Sequence, residues 1–542
     1  MLALFLCPVL WQTATAVDVP PKHPVYDFLL RMEARGLFES PLPQTMPYTR
    51  EDVVRRLTLL RGHWEALNGL EKREAGEYLS QLADSTGDDA DGNGSGPLAF
   101  YRNGHDLAEL RGPAWRVAGN PVFEARQEFH RLSADSNGAM SVWASGFEVH
   151  GVLRHFGFSV RATDAHVRGD AKLADRTDFP YRYDVRPSGF DYDEADAGIS
   201  YEVPHAALFF GKARNHWGSG RFESLILSDQ PTSYTQFRGR FTLGPVELTA
   251  LQAKLQQRPP VVVGTDTTAE GIVRRDYAEK FLAAHRLQVN VSRWLQVGIY
   301  EAVVYGERSF DLDYVNPMMF LRSAEHYADD RDNALMGFDL KWRPLRDVLL
   351  HGDLLIDDVS TTHLGEGFFG NKLGFQGGAE WYDPAGLSNT RLVCEYTRIE
   401  PYVYSHKFAI NSYQHYGSVL GASTGPNSDV LTASLAWTVS RPVQLEVWTQ
   451  WRRHGANPAS GTNVGGDPRR PWGPGDAQHV HFLDGDKETF RTVGLQGRVE
   501  MIHDLYVAAS ASVTSSDTRF MAGGKRSETR SLGMAELRWN PW

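Results

Sequence analysis

The feature that most constrains the fold of this chain is a two-residue alternation of apolar and polar side chains. In LTASLAWTVS the apolar positions are Leu431, Ala433, Leu435, Trp437 and Val439, with Thr, Ser or Ala between them. The segments RPVQLEVWTQWR and LYVAASASVTS repeat the pattern. Because successive side chains of a strand point to opposite faces, the pattern predicts strands with one apolar and one polar face.

Each alternating segment is about ten residues long, the length that a β-strand needs to cross a bilayer. Tight turns alternate with long polar connections, of which residues 452–488 are too long and polar for a turn inside a compact domain. A barrel with an apolar outer face and a polar lumen accounts for both features better than a soluble sandwich does. The predicted fold class is therefore mainly β, a large transmembrane antiparallel β-barrel of about 18 strands over residues 98–542.

The residues ahead of the barrel have a helical period instead. Apolar residues recur at helical spacing at Val25, Phe28, Leu29 and Met32 and at Val53, Leu57 and Leu60. In a third segment, Leu70, Tyr78 and Leu82 lie near one stripe of a helix. Gly36 is expected to end the first helix, and Thr49, with Asp52 three residues later, to cap the second. Residues 17–83 therefore predict a small N-terminal helical bundle, and the Gly- and Asp-rich residues 84–97 a linker.

The N-terminus predicts export. Residues 1–17 carry no charge, Leu2 to Trp11 is apolar, and Ala14-Thr15-Ala16 fits a cleavage site, so residues 1–16 are interpreted as a signal peptide. The alternative is a buried N-terminal helix. Cleavage would leave Cys394 without a partner for an internal disulfide. Beyond this segment no apolar run approaches the ~18 residues of a membrane helix.

The stretch GKARNHWGSGRFESLILSD, residues 211–229, has the composition of an active site. Its Gly218-Ser219-Gly220 lacks the third glycine and the helix of a dinucleotide fingerprint. Ser219, His216 and Asp229 could form a catalytic triad, but a nucleophile elbow needs a strand–turn–helix setting that the alternating context does not supply. No catalytic residue is therefore predicted.

Acidic residues in other parts of the chain do not predict a metal site or a catalytic pair. The cluster between Asp311 and Asp339 has no EF-hand spacing, and adjacent Asp357 and Asp358 would point to opposite faces of a strand. No cofactor or metal is expected. The net charge of −11 argues against a nucleic-acid partner.

Several stretches together resemble the capsule assembly protein Wzi family of outer-membrane proteins. They are YDFLLRMEARGLF, GKARNHWGSGRFESLILSDQP, LDYVNPMMFLRSAEH with DNALMGFDLKWRP, and HYGSVLGASTGPNSD. The resemblance implies a bacterial outer-membrane barrel with extracellular loops and a periplasmic helical bundle. It also implies a non-enzymatic surface lectin that binds exported capsular polysaccharide and helps to attach or organise it at the cell surface.

A lectin of this kind uses aromatic faces for sugar rings and Arg side chains for hydroxyls and carboxylates. The candidate polysaccharide-binding residues are Arg214, His216, Trp217, Arg221, Arg322, Tyr402, Tyr404, Arg469, Arg470 and Trp472. Arg214, Arg221 and Arg322 are expected in the lumen or at its rim. For the aromatic residues, packing inside a loop or a place in the aromatic girdle is the alternative.

Two other functions remain open at this point. The protein could be a porin-like channel for small solutes or saccharides, or an outer-membrane hydrolase that uses Ser219 and His216. The expected partners are capsular or other exported polysaccharide, outer-membrane lipid and the barrel-assembly machinery, with no nucleic acid. Whether the lumen is plugged or open distinguishes the lectin from the channel.

Overall fold

The computed structural model describes residues 17–83, 99–100, 105–133, 136–170, 183–186, 188–327, 330–502 and 504–541. The predicted signal peptide, residues 1–16, and the predicted linker, residues 84–97, lie outside these ranges. In chain order the long strands are β1 Trp115–Ser133, β2 Ser136–Leu153, β3 Phe156–Gly169, β4 Gly189–Val203, β5 Ala206–Ala213, β6 Tyr234–Leu243, β7 Val246–Leu255, β8 Lys280–Ser292, β9 Leu295–Gly306, β10 Asn333–Leu345, β11 Val348–Asp358, β12 Lys372–Tyr382, β13 Thr390–Ile399, β14 Ser428–Ser440, β15 Val443–Ala456, β16 Asp486–Ile502, β17 Leu505–Arg519 and β18 Lys525–Trp539.

These strands form one closed antiparallel barrel. Each strand pairs with the next along the chain, and β18 closes the ring on β1 in a register that runs from Ser531 opposite Arg131 to Trp539 opposite Phe123. The wall has 18 strands, so the predicted fold class and strand number are confirmed. Closure leaves no unpaired sheet edge.

The two ends of the barrel differ in the length of their connections. At one end, here called the turn end, most connections are two-residue turns, such as residues 154–155, 204–205, 244–245, 293–294 and 346–347. At the opposite end, the loop end, the long described connections are residues 214–233, 256–279, 307–332, 359–371, 400–427 and 457–485.

The outer face of the wall is apolar, as the alternation predicts. On β14, Leu431, Leu435 and Trp437 are exposed, while Thr432 and Ser434 are buried on the lumen side. Five of the exposed tryptophans lie near the turn end, at Trp115, Trp294, Trp342, Trp381 and Trp437, while Trp143 and Trp451 are exposed farther from it. An apolar outer surface with an aromatic girdle is the surface that a membrane barrel presents to lipid.

The N-terminal residues form the predicted bundle of α1 Val25–Ala34, α2 Arg50–Leu59 and α3 Gly69–Leu82. Gly36, with φ of +77°, follows the end of α1, and the Thr49 hydroxyl accepts from the Asp52 amide (3.2 Å) at the start of α2. The start of α3 has a complete capping box, which was not predicted, in which Asn68 and Glu71 cap each other's backbone. Within the described ranges, no helix is both long enough and apolar enough to cross a membrane.

The bundle lies inside the barrel toward the turn end and forms a plug. The Lys341 ammonium on β10 binds the Glu33 carboxylate at 2.9 Å, and the Gln44 amide donates to the Gln288 side chain on β8 at 2.9 Å. The Asp347 amide, in a turn-end connection, donates to the Ala34 carbonyl at 2.9 Å. The end of α1 and the segment that follows it are therefore fixed to the wall by polar contacts.

Shorter elements complete the fold. They are the paired strands Asp18–Val19 with Tyr48–Thr49, Thr45–Met46 with His216–Trp217, Val262–Thr267 with Val273–Tyr277, and Gln414–His415 with Ser418–Val419, the strands Ala99–Phe100, Ala108–Gly112 and Tyr183–Arg186 beside the wall, and the helix α4 Leu321–Tyr327.

Candidate functional site in the barrel lumen

The connection 214–233, here called the inward loop, folds into the lumen and meets the plug. Its strand His216–Trp217 pairs with Thr45–Met46 of the plug segment, and the Gly218 amide donates to the Gln44 carbonyl at 2.8 Å. Trp217 is fully buried. The glycine-rich stretch therefore forms the contact between a connection from the loop end and the plug from the turn end.

Glu395, on β13, holds the turn of this loop. Its carboxylate accepts from the backbone amides of Arg221 (2.5 Å), Phe222 (3.1 Å) and Glu223 (3.0 Å). A Cβ on Gly220 would lie 1.9 Å from the Glu223 carbonyl oxygen, so the tight turn requires glycine at this position. A carboxylate that accepts several backbone amides fixes a loop strongly, because each is a charge-assisted hydrogen bond.

Arg221 connects the inward loop to the plug through Asp27 of α1. Asp27 forms ion pairs with both Arg221 and Arg391, the latter on β13 at 3.0 Å. Burial opposes ionisation of Asp27, but the two guanidinium groups outweigh it and hold the pKa of this carboxyl well below its ordinary value. One ionised plug carboxylate therefore joins loop, plug and wall.

A second loop-end connection, residues 400–427, packs on the inward loop. The hydroxyls of Tyr404 and Tyr413 donate to the carbonyls of Leu225 (2.7 Å) and Ile226 (2.8 Å), and the two rings stack with centroids 5.6 Å apart. These residues belong to an apolar core inside the lumen. The lumen is thus packed in its middle, in contrast with the polar, water-filled lumen of a porin.

Glu223 is a buried acid at the contact between these two loops. Its carboxylate accepts from the Ser423 amide (2.6 Å) and hydroxyl (2.8 Å). Burial, which outweighs these hydrogen bonds, raises the pKa of Glu223 to about 7. Its protonation state therefore changes near neutral pH.

Cavities remain between the plug, the inward loop and the wall. One of about 540 Å³ is bordered by Asp27, Arg221 and His216 and by wall residues of β15 to β18 such as Gln496 and Glu536. A second, of about 250 Å³, is bordered by Arg214 and Glu194 among others. The larger has the volume of small-molecule sites and a mixed polar and apolar lining.

Four of the predicted binding residues meet in this region. Arg214 forms an ion pair with Glu194, Trp217 is buried, and His216 and Arg221 border the larger cavity. The His216 Nε2 lies 3.0 Å from the Gly220 carbonyl oxygen, and its Nδ1 lies 3.9 Å from Asp229. His216 is thus bonded to a backbone carbonyl through the nitrogen that a catalytic serine would need.

The residues predicted on the outer loops occupy different environments. Tyr402 and Tyr404 are buried, so their rings pack inside the loops. Trp472 stacks on Phe369 with centroids 4.1 Å apart, and Arg469 is exposed and paired with Asp467 at 3.0 Å. These residues belong to connections that contact one another.

Two more predicted residues, Arg470 and Arg322, lie apart from the lumen. Arg470, at the loop end, lies 3.8 Å from Asp476. Arg322 is on α4, which packs on the outside of the barrel wall, and it pairs with Glu325 at 3.1 Å. Of the two expected places for Arg322, the lumen or its rim, the structure excludes the lumen, and its role in polysaccharide binding stays a prediction.

Sequence reasoning missed the residues that organise the site, Glu395 and Asp27. Glu395 stands at an inward position of an alternating strand, and Asp27 is one acid on an amphipathic helix. Neither has a local motif, and Glu395 is 174 positions from the backbone that it binds. Within the described residues, no group of three or more His, Cys, Asp or Glu side chains could hold a metal ion.

The fold and this site define a class of protein, the outer-membrane type of β-barrel with a lumen occupied by a helical plug and an inward loop. The family model described as capsule assembly protein Wzi matches residues 145–530, and the chain belongs to this family. A search of curated protein sequences found no match.

Solved structures include one whose fold is similar over most of the chain. Wzi from Escherichia coli, described as an outer-membrane protein involved in group 1 capsule assembly and as a carbohydrate-binding β-barrel, aligns with a TM-score of 0.59 at 13% identity. The alignment covers 96% of this chain and 99% of that one. OprD from Pseudomonas aeruginosa aligns at 11% identity with a TM-score of 0.40, over 78% of this chain and 93% of that one.

Proposed function

We propose that this protein is a non-enzymatic surface lectin that binds exported capsular polysaccharide and helps to hold it at the outer membrane. Membership of a capsule assembly family supports the capsule-related role. The similar fold of the Escherichia coli protein, whose description names carbohydrate binding, supports binding rather than catalysis.

The observation that carries the proposal is the meeting of the inward loop and the plug in the middle of the lumen. The inward loop, from the loop end, is joined to the plug, at the turn end, by two contacts. They are the backbone hydrogen bond between Gly218 and Gln44 and the ion pair between Arg221 and Asp27. A porin requires an open lumen, with loops that constrict it and do not fill it. A lumen that is occupied by the plug and the inward loop instead gives a rigid base for loops that bind a ligand outside.

We place the polysaccharide contacts on a cap formed by three loop-end connections, residues 359–371, 400–427 and 457–485. Backbone bonds join them: the Phe369 amide donates to Gln478 (3.0 Å), and the Tyr402 amide donates to Gly465 (3.0 Å). Arg469 and Phe408 are exposed on this cap, and the Arg398 guanidinium lies 3.9 Å from the Phe482 ring centroid. Exposed rings and guanidinium groups suit the apolar faces and the carboxylates of a polysaccharide.

This proposal includes an orientation. The loop end faces the outside of the cell and the turn end, with the plug, faces the periplasm, as the short-turn and long-loop ends of outer-membrane barrels do. Outer-membrane lipid then surrounds the wall, and the barrel-assembly machinery inserts it. The cap is consequently placed where exported polysaccharide emerges.

Single-channel recording separates this function from the channel. The full-length protein in a planar bilayer should give no large, steady current, because the plug and the inward loop obstruct the lumen. Esterase assays of wild-type protein and of the Ser219→Ala variant test the hydrolase. A hydrolase should show activity in the wild-type protein that the variant loses.

In cells, loss of the protein should release capsule into the medium without reducing the amount made.

A further inference from the structure

The described residues 307–327 and 330–332 of the connection between β9 and β10, here called the outer-face loop, lie against the outside of the barrel. Val304 and Leu282 of the wall belong to the core inside the lumen, whereas their chain neighbours Val303 and Phe281 belong to a separate cluster. Adjacent residues of a strand point to opposite faces, so this second cluster is on the outer face. The loop contributes Tyr314, Met319, Leu321 and Ala324 to it.

The loop also covers a polar pair on the outer face. His285 of β8 and Glu301 of β9 are opposite each other in the register, with the His285 Nδ1 3.3 Å from the Glu301 carboxylate. The other Glu301 oxygen accepts from the Leu321 amide at the start of α4, at 2.9 Å. An uncovered polar pair on this face would meet lipid at considerable cost. The outer-face loop therefore separates the pair from the bilayer.

The side of the loop that faces away from the barrel is apolar as well. Leu312 is 76% exposed, Met318 82% and Tyr327 81%, and Phe310 and Phe320 are also exposed. A loop in water has no reason to present this many large apolar side chains on one surface.

The lipid-facing part of the wall is short beneath this loop. On β14 the outward residues from Leu431 to Val439 are open, a stretch long enough to cross a bilayer. On β9 only Val297 and Ile299 are exposed before the covered residues begin at Glu301. Ile299 is two residues from Glu301, about 7 Å along the strand. Where the loop covers the wall, beyond Ile299, the exposed apolar side chains of the outer-face loop take the place of the lipid-facing residues of the strands.

We propose that the outer-face loop is a membrane-contact element whose exposed apolar side chains enter the acyl region of the leaflet at the loop end. The helical turns at Leu312–Tyr314 and α4 bond their own backbone, which suits the boundary between headgroups and acyl chains. Arg308, Arg322 and Arg331, each paired with an acid of the same loop, remain at the headgroup level. The occupant of this surface is lipid, independently of any polysaccharide bound at the cap.

Spin labels test this placement. Leu312→Cys and Met318→Cys are made in full-length protein that lacks Cys7 and Cys394, labelled, and reconstituted into liposomes. Collision with oxygen, which concentrates in lipid, is compared with collision with a water-soluble nickel complex. Phe338→Cys on the exposed belt of β10 is the lipid control, and Arg469→Cys on the cap is the water control. Labels at positions 312 and 318 should show the oxygen and nickel accessibility of the Phe338 control. Nickel accessibility as high as that of the Arg469 control at both positions overturns the proposal.

A label-free measurement guards against an effect of the label. Trypsin should cleave after Arg331 more slowly in wild-type protein in liposomes than in the double variant Leu312→Glu/Met318→Glu, whose acids prevent insertion. Cleavage after Arg469 should be the same in both proteins, which checks that the barrel is folded. Equal rates of cleavage after Arg331 in the two proteins would contradict lipid contact and would indicate a binding surface for a protein partner.

Discussion

Arg221 of the inward loop and Asp27 of the first plug helix form an ion pair inside the barrel. The pair joins a connection that starts at the loop end to a helix that enters from the turn end. Its carboxylate is shared with Arg391 of the wall, so the three parts of the molecule meet at one residue.

Replacing Arg221 should weaken the contact between loop and plug. In Arg221→Ala, Asp27 keeps only Arg391 as a partner, and we expect a loss of about 1 kcal/mol because the pair is partly exposed to water. Thermal unfolding in detergent checks this. Arg469→Ala, which removes an exposed ion pair on the cap, is the control and should leave the midpoint unchanged. An unchanged unfolding midpoint in both variants would contradict a stabilising role of Arg221.

Glu395→Gln should release the turn of the inward loop. The amide nitrogen of glutamine cannot accept, so at least one of the backbone amides of residues 221–223 loses its acceptor, at a cost of about 1–3 kcal/mol. Hydrogen exchange should then be faster at these three amides. Glu446→Gln, which alters a wall carboxylate bonded to Gln496 at 2.6 Å, is the matched control. Unchanged protection of residues 221–223 would contradict the role of Glu395.

Gly220 should not tolerate a side chain. In Gly220→Ala the new methyl group meets the Glu223 carbonyl, and a backbone shift of this kind costs about 1–3 kcal/mol. Gly417 also lies in a loop, but a Cβ there has nothing within 4 Å, so Gly417→Ala is the control. The first variant should unfold at a lower temperature than wild type and the second should not. Equal midpoints for the two variants would mean that the turn is not tight.

Docking of the plug should depend on pH through His105. This residue lies between Glu77 of α3 (3.2 Å) and Asp504 of a turn-end connection (3.3 Å). Burial lowers its pKa, but the two carboxylates outweigh burial and raise the pKa to about 9. Because the folded pKa exceeds the unfolded value of 6.5, the stabilisation is full below pH 6.5 and disappears as the pH rises to about 9.

The measurement is denaturant unfolding of the plug at several pH values. Wild-type protein should lose stability between pH 6.5 and 9, and His105→Gln should lose less over the same interval. His363→Gln, which alters an exposed histidine of the cap, should follow wild type. If the stability of His105→Gln falls with pH as steeply as that of wild-type protein, the pH dependence belongs to other groups.

The wall and the plug helices could be predicted from sequence because their signals are local. The period of two along strands such as β14 and the period near 3.6 in residues 25–82 follow directly from burial on one face. The Thr49 cap was correct, but its partner Asp52 does not complete a capping box. The Asp52 carboxylate instead binds Arg55 and, from the wall, Arg240.

The arrangement of the loops could not be predicted, because contacts between residues far apart in the chain determine it. The stretch 211–229 contains the predicted binding residues Arg214, His216, Trp217 and Arg221, but contacts with Glu395 and Asp27 fix its conformation. Tyr404 is predicted from the sequence to stack on a sugar ring, yet its own ring is buried against Tyr413. Arg322 is in a loop that packs on the outer face of the barrel, where the Leu321 amide donates to Glu301 of β9. Alternation alone gives no information on where a long loop packs.

The measurement that tests the central proposal most directly is equilibrium binding of the purified full-length protein to the polysaccharide that its own host exports. Wild-type protein should bind, Arg469→Ala/Arg470→Ala should bind more weakly, and Arg530→Ala, which changes β18 away from the cap, should bind as wild type does. All three must show the same heat-modifiable mobility, which reports a folded barrel. Absence of binding by wild-type protein, together with large, steady single-channel currents, would contradict a surface lectin and indicate a channel.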